Sequence, residues 1–513
     1  MRSRRNGKSR TSCARRWARS IPSLRAAILR PSARRPLAIA AVVSALIGLV
    51  VPYTSHAQTP SETPPGPLDV GTICSKPSVP RTINPVRDIL TEYRDLTYDF
   101  CRVKEDYKEG GFGGMWERQV GTLQDVFVDI FTGPGLHPTI GVIVPEGGVA
   151  FGMALNNEWH ITETPHIRFT TSVEARGTTE GFWAAGAVSH MQFDWYRVQD
   201  TGSFRIPQAT IAVRHFDLPE MPFFGLGNQS SLDDRSLFEL IETEIPILVD
   251  FPVGYGLTFS LQANALFASS DPSATFTNRF SQATAPGIRA STTHMVPGIA
   301  LTYRSPDVLY GLYGEGRASY EAYQTLDGGS FTFDRVQARV ALNYGIEDMS
   351  FAQDRFPYFR AILGSSRFTI EANLVISEPR SGNAVPFYLQ PTLGGGDINN
   401  ENWLRSYTSY RFRAPNTVAY GASWERRLID PFGVSVFGQW GKVGQDAGDL
   451  DFDNMKYSVG VGLTLRLGGK AVVEFSFAWG GNEGPHAYAT GNTNNAIGFG
   501  ARAAGTVGLR GVF

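Results

Sequence analysis

From the second quarter of the chain onward, apolar residues recur on alternate positions in run after run. Ile167, Phe169, Thr171, Val173 and Ala175 alternate with Arg168, Thr170, Ser172 and Glu174. Phe368, Ile370, Ala372, Leu374 and Ile376 alternate with Thr369, Glu371, Asn373 and Val375. Tyr457 to Leu467 places its apolar residues on the odd positions and Ser458, Gly460, Gly462, Thr464 and Arg466 on the even ones, and Val473, Phe475, Phe477 and Trp479 alternate with Glu474, Ser476 and Ala478. A period of two marks a strand with two unlike faces. The pattern predicts strands over 139–145, 149–156, 166–176, 181–196, 204–216, 236–249, 254–268, 292–304, 308–323, 333–346, 366–378, 416–429, 433–443, 456–467, 470–480 and 496–513, sixteen in all. The last puts Ile497, Phe499, Val507, Leu509 and Phe513 on one face and Arg502, Thr506 and Arg510 on the other, and is long enough to cross a bilayer when tilted.

A soluble sandwich alternates as well, so link lengths have to arbitrate. Near the end, short links (430–433 and 467–470) alternate with long polar ones (444–454 and 481–495). Outer-membrane barrels have short periplasmic turns and longer external loops, an even number of strands and a polar interior. The expected fold is therefore all-β, a transmembrane up-and-down antiparallel β-barrel of 16 strands over 139–513. Upstream, 83–110 reads as a helix with Asn84 as N-cap and Pro85 in the first turn, and 115–131 as a shorter one. A Pro, Thr and Ser rich tail precedes them. Residues 58–138 are thus expected to form a short, partly helical periplasmic or luminal extension.

Composition agrees with a strand-and-turn protein. Fifty-five glycines, 12% aromatic residues and a mean hydropathy of −0.15 exclude a helical membrane protein and a disordered chain. Residues 1–57 hold twelve Arg and Lys and no acid, followed by the apolar run 37–51 and Ser55-His56-Ala57, the parts of a secretory signal cleaved after Ala57. An uncleaved anchor helix is the alternative, although the apolar run is shorter than the roughly 20 residues a spanning helix needs. Without that segment 35 basic residues face 48 acidic ones, a net of −13, which excludes a nucleic-acid partner. Cys74 and Cys101 remain as an even pair in an exported chain, expected to form a disulfide worth roughly 3 kcal/mol. Two unpaired buried thiols are the alternative.

Catalytic and metal chemistry finds no support. The histidines, His294 and His486 among them, lack ligand spacing and have no nucleophile motif to serve. Asp449, Asp451 and Asp453 lack the glycine and distal glutamate of a calcium loop. There is no nucleophile elbow, phosphate loop or dinucleotide fingerprint. No enzyme activity, metal or cofactor is expected.

One stretch concentrates the remaining chemistry. Residues 403–413, "WLRSYTSYRFR", carry three arginines and four aromatic rings directly after "LGGGD". Together with "WERRL" (424–428) and "VFGQWGKVG" (436–444) this stretch resembles the carboxy-terminal half of the BamA and TamA type of outer-membrane barrel, the bacterial surface antigen family. "FFGLGN" (223–228) resembles a glycine-asparagine segment of such chains, and a terminal aromatic, Phe513, resembles their carboxy-terminal signature. The resemblance implies that the loop arginine, Arg405, folds back into the lumen to meet Glu425 and the strand residue Gln439, with Phe437, Gly441 and Tyr407 in support. Strand parity agrees: if Val418, Tyr420, Ala422, Trp424, Val434, Val436 and Trp440 face lipid, then Glu425, Phe437, Gln439 and Gly441 face inward. An exposed loop whose arginines touch lipopolysaccharide phosphates is the alternative for Arg405, and Arg411 and Arg413 fit either arrangement.

Two residues depart from the family pattern: Ser406 replaces a loop glycine and Gln439 a strand aspartate. The resemblance further implies a role in inserting or translocating polypeptide at the bacterial outer membrane. Its partners would be outer-membrane lipid and lipopolysaccharide, client polypeptides and a periplasmic partner, because 58–138 is too short for repeated POTRA domains. A passive pore or surface-structural barrel is the competing reading.

Overall fold

The computed structural model describes residues 135–491 apart from 146, 162–166, 194–197, 201–202, 274–278, 306–311, 346–365, 399–400, 430–431, 468–469, 482 and 484–485. The chain runs through β1 (Gly135–Gly141), β2 (Ala150–Ile161), β3 (Ile167–Thr178) and β4 (Trp183–Phe193). A separate hairpin follows, β5 (Val198–Asp200) with β6 (Ser203–Arg205). Next come β7 (Gln208–Phe223), β8 (Ser236–Gly254), β9 (Leu257–Pro272), β10 (Ala290–Arg304), β11 (Leu312–Thr325), β12 (Phe333–Gly345) and β13 (Ser366–Pro379). A long link holds the short pair β14 (Thr392–Leu393) and β15 (Phe412–Arg413). The series ends with β16 (Asn416–Ile429), β17 (Phe432–Gly444), β18 (Lys456–Leu467), β19 (Lys470–Trp479) and β20 (His486–Gly491).

The strands other than the two short pairs form one 16-stranded antiparallel sheet in which each strand pairs with its neighbours in sequence. Such an order needs no crossover, which suits an up-and-down barrel. No pairing joins β1 to β20 among the described residues, so these are the two edges of the sheet. Curvature is shown by the long link between β13 and β16, which touches well-separated strands. Its Tyr388 hydroxyl lies 2.7 Å from Thr292 on β10, and its Arg405 reaches Glu474 on β19.

The distribution of polarity is inverted relative to a soluble barrel. Glu174, Arg176, Arg214, Glu242, Glu244, His294 and Glu321 are buried on the inner face, while Phe151, Ile299, Leu301, Val340, Ile370, Val461 and Phe475 stand exposed outside. An outward apolar face alternating with an inward polar one is what a lipid-facing wall around a polar lumen requires. The inner groups satisfy one another across strands. Gln208 and Ser260 both donate to Asp250, at 2.9 and 2.6 Å, and Gln262 and Tyr323 both donate to Glu321, at 2.8 and 3.0 Å.

At the end of the barrel where the β13–β16 link lies, an apolar cluster packs inside the wall. Phe387 of the β13–β16 link packs at 4.8 Å from Phe223 and 4.6 Å from Phe238, with Tyr388, Leu389 and Tyr410 buried alongside.

Several boundaries differ from expectation. β1 opens at Gly135, ahead of 139, and the strand expected over 204–216 divides into β6 and a longer β7. The sixteenth strand of the sheet is His486–Gly491, within the stretch read as an external loop, so the β19–β20 link is short. Its Gly, Asn and Pro content suggested a loop, but the segment 486–491 pairs fully with β19. The run 496–513 with Phe513, the helices of 83–131, and Cys74 and Cys101 lie outside the described residues.

If Ile299 faces the hydrocarbon, Ile299→Arg should destabilise the vesicle-inserted barrel by about 2–4 kcal/mol. Denaturant unfolding in lipid vesicles measures this, and a change below about 0.5 kcal/mol, the usual size at a watery surface site, would contradict a lipid-facing wall.

Candidate functional site: an arginine loop inside the barrel

The link between β13 and β16 enters the lumen through a glycine turn. Gly394 and Gly395 adopt left-handed backbone, and their N–H groups donate to the carbonyls of Trp403 and Leu404 at 3.0 and 3.2 Å. The chain returns through β15, and the Tyr410 N–H closes the loop on the Gly394 carbonyl at 3.1 Å. Trp403, Leu404, Tyr407 and Phe412 pack into a small apolar core with Leu393, Ala419 and Val443, which seats the loop against β16 and β17. Tyr407 and Phe412 meet edge to face at 5.1 Å.

At the tip, Arg405 is 5% exposed. Its guanidinium lies 4.5 Å from the Phe437 ring centroid on β17 and donates to Glu474 Oε1 on β19 at 2.7 Å. Its backbone N–H donates to Gln439 Oε1 at 3.3 Å, while Gln439 Nε2 donates to the Asn402 carbonyl at 2.8 Å. The strand amide therefore grips the loop backbone on both sides. A carboxylate at this position could accept from Arg405 but could not donate to Asn402, which gives the departure at Gln439 a structural purpose.

Glu425 is not the carboxylate that Arg405 reaches. It accepts from Thr464 Oγ1 at 3.3 Å, and Glu474 takes the guanidinium. Parity could not separate the two, since both face the lumen. What separates them is Phe437, whose ring leans over Gly460 on β18, where even a single methyl group would collide with it. The arginine lying on that ring is carried toward β18 and β19 and away from β16. Gly441 faces inward as expected, and an added Cβ there would stand 2.8 Å from Leu393.

Ser406 is fully buried and not left-handed; the left-handed residues nearby are Leu404 and Tyr410. Its N–H donates to Ser458 Oγ at 2.9 Å and its hydroxyl to the Tyr457 carbonyl at 3.4 Å. The serine is therefore accommodated here without left-handed backbone. Tyr407 lies against Gly481, a left-handed residue whose lack of a side chain leaves room for the ring. Burial raises the Tyr407 hydroxyl pKa, and the nearby Glu483 carboxylate raises it further, so the group stays protonated.

The other two arginines are also interior. Arg411 pairs with Glu483 and donates to the Ser230 hydroxyl and carbonyl, each at 2.6 Å, tying the β7–β8 link to the β19–β20 link. Arg413 donates to the Phe387 carbonyl at 2.7 Å, with Phe223, Phe238, Phe387 and Tyr410 ring centroids within 6 Å. The segment 223–228 meets the loop directly, Gly227 N–H donating to the Arg413 carbonyl at 2.7 Å. On the neighbouring strands before β16, the loop acid Glu401 accepts from Asn373 on β13 at 3.0 Å and lies 3.6 Å from Arg339 on β12.

Sequence reasoning thus named Arg405, Gln439, Phe437 and Tyr407 but missed Glu474, Glu483, Ser230 and Glu401. The available signal for Glu474 was a lone acid on the inward face of an otherwise small or apolar strand.

Fold and site define a sixteen-stranded barrel with a lipid-facing wall and a loop held inside its own lumen by buried arginines. No protein-family model matches the sequence, and no curated protein matches it. Among solved structures the chain is similar to BamA from Haemophilus ducreyi lacking POTRA domains 1–3, at 11% identity and a TM-score of 0.44, over 69% of this chain and 68% of that one. It is also similar to CdiB from Escherichia coli (11% identity, TM-score 0.41, 69% of this chain and 62% of that one). CdiB from Acinetobacter baumannii gives 7% identity and a TM-score of 0.42 over 69% of this chain and 57% of that one. The match spans less than two thirds of the length of either CdiB chain.

Gly481→Val would force a side chain onto the Tyr407 ring in a backbone conformation valine disfavours. It should loosen the loop and speed tryptic cleavage after Arg405, Arg411 or Arg413, whereas Gly448→Val, which meets open space, should leave the digestion pattern unchanged.

Proposed function

We propose that the chain is a bacterial outer-membrane barrel of the BamA and TamA type that assists the insertion or translocation of polypeptides. The observation carrying this reading is the loop tip itself. The stretch whose sequence resembles the family's long sixth loop lies inside the lumen, with Arg405 buried between Phe437, Gln439 and Glu474. A loop fixed in this way stiffens the β16–β19 wall. Client outer-membrane or secreted polypeptides would be the substrates, and a separate periplasmic partner would deliver them. Lipid and lipopolysaccharide would surround the wall.

The passive-pore reading is disfavoured by the aromatic cluster around Phe387, which together with the loop occupies lumen space at the long-link end.

Reconstitution tests the proposal. Vesicles carrying the protein should accelerate the folding of an added unfolded outer-membrane barrel, while planar bilayers should show no steady open conductance. Steady conductance with no acceleration of client folding would overturn it.

A further inference from the structure

The link between β17 and β18, residues 445–455, does not arch over the barrel mouth along its whole length. Its Phe452 lies 6.4 Å from the Tyr420 ring on the outer face of β16, and Tyr420 Oη donates to Met455 Sδ at 3.5 Å. Asp451 pairs with Lys442, whose strand position opposes the outward Val418. The link is therefore folded down against the outside of the wall. Two of its carboxylates help hold that shape: Asp446 N–H donates to Asp449 at 3.0 Å and Asp453 N–H to Asp451 at 3.1 Å. The Lys442 hydrogen bond lowers the Asp451 pKa, which keeps the clasp ionised.

The level at which the link touches the wall is marked by an aromatic row. Tyr420 pairs with Trp440, Trp440 pairs with Tyr457, and the first two rings stack at 5.7 Å. All three sit on the outer face, next to Val436, Val459, Val461 and Leu463 and near Phe477 and Trp479 of β19. Rows of Tyr and Trp on the outside of a barrel lie at the boundary between headgroups and hydrocarbon, where an apolar body and a polar tip are both accommodated. Phe452 extends this row and is 79% exposed, with its outer side uncovered among the described residues. A phenylalanine this exposed is unfavourable in water, but here it is continuous with the lipid-contacting surface.

We infer that the β17–β18 link is an interfacial lipid anchor, its Phe452 ring seated among the acyl chains of the surrounding bilayer just inside the headgroup boundary. The occupant is fixed by continuity: the rings beside Phe452 belong to the lipid-facing wall, and the acidic crest of the link would repel an anionic partner protein. The anchor pins the outer side of the strands, β16–β18, whose inner side carries Phe437, Gln439 and Ser458, and so backs the loop from outside. It rests on the membrane-barrel fold and not on any client-handling role.

Photocrosslinking in the full-length protein tests this. With p-benzoylphenylalanine introduced at Phe452 and the protein reconstituted in vesicles of phospholipid bearing a tagged acyl chain, irradiation should yield several-fold more lipid adduct than the same residue introduced at Gly448 on the crest of the link. Equal yields at the two positions, or adducts at Phe452 only within the protein chain, would overturn the inference. A second arm compares Phe452→Leu with Phe452→Asp in the same vesicles. Leucine should leave the heat-modifiable gel mobility unchanged and aspartate should lower its transition temperature, while equal transitions would also count against the anchor.

Discussion

A guanidinium enclosed by a protein wall has to be neutralised and hydrogen-bonded, because the desolvation it suffers is otherwise uncompensated. Arg405 sets that requirement for this barrel. Its cation is met by the Glu474 carboxylate, its flat face by the Phe437 ring and its backbone by the Gln439 amide. Those partners stand on β17 and β19, so a single residue carried in by a loop links strands that are not themselves adjacent. The inner surface is shaped to allow it. Gly460 clears the space into which Phe437 leans, and Gly481 leaves room for Tyr407. Small residues in this part of the wall are thus a consequence of where the loop lies.

The remaining contacts make the loop a strut with several feet. Glu401 stands on the β12–β13 side through Asn373 and Arg339, Arg411 bridges two links at the mouth through Glu483 and Ser230, and Arg413 is enclosed by rings around Phe387. Acid from the loop meets base on β12, and base from the loop meets acid on β19. This complementarity fixes the loop's orientation, since a reversed loop would oppose like charges. The loop and the aromatic cluster pack inside the mouth, and deeper polar groups such as Asp250 and Glu321 accept hydrogen bonds from neighbouring strands.

The strand pattern was legible in the sequence because the two faces differ so sharply: in Tyr457–Leu463 every outward residue is apolar and every inward one is serine or glycine. The loop tip was legible only through its resemblance to a known family, and there the outcome was mixed. Arg405 and Gln439 are brought together, but parity assigns two inward carboxylates, Glu425 and Glu474, and says nothing of which one a flexible arginine will reach. That choice depends on the lean of the Phe437 ring and on the missing side chain at Gly460, neither of which is a local property of the sequence. The same holds for His486–Gly491, where loop-like composition was overruled by pairing with β19.

The central claim is that Arg405 is held by Glu474 and not by its sequence-favoured rival. A double-mutant cycle in vesicle-inserted protein, measuring unfolding of Arg405→Ala, Glu474→Gln and the double variant beside the matching set with Glu425→Gln, addresses it directly. The structure predicts a coupling of about 1–3 kcal/mol between Arg405 and Glu474 and less than about 0.5 kcal/mol between Arg405 and Glu425. Additive effects for Arg405 and Glu474, or a larger coupling to Glu425, would contradict the account.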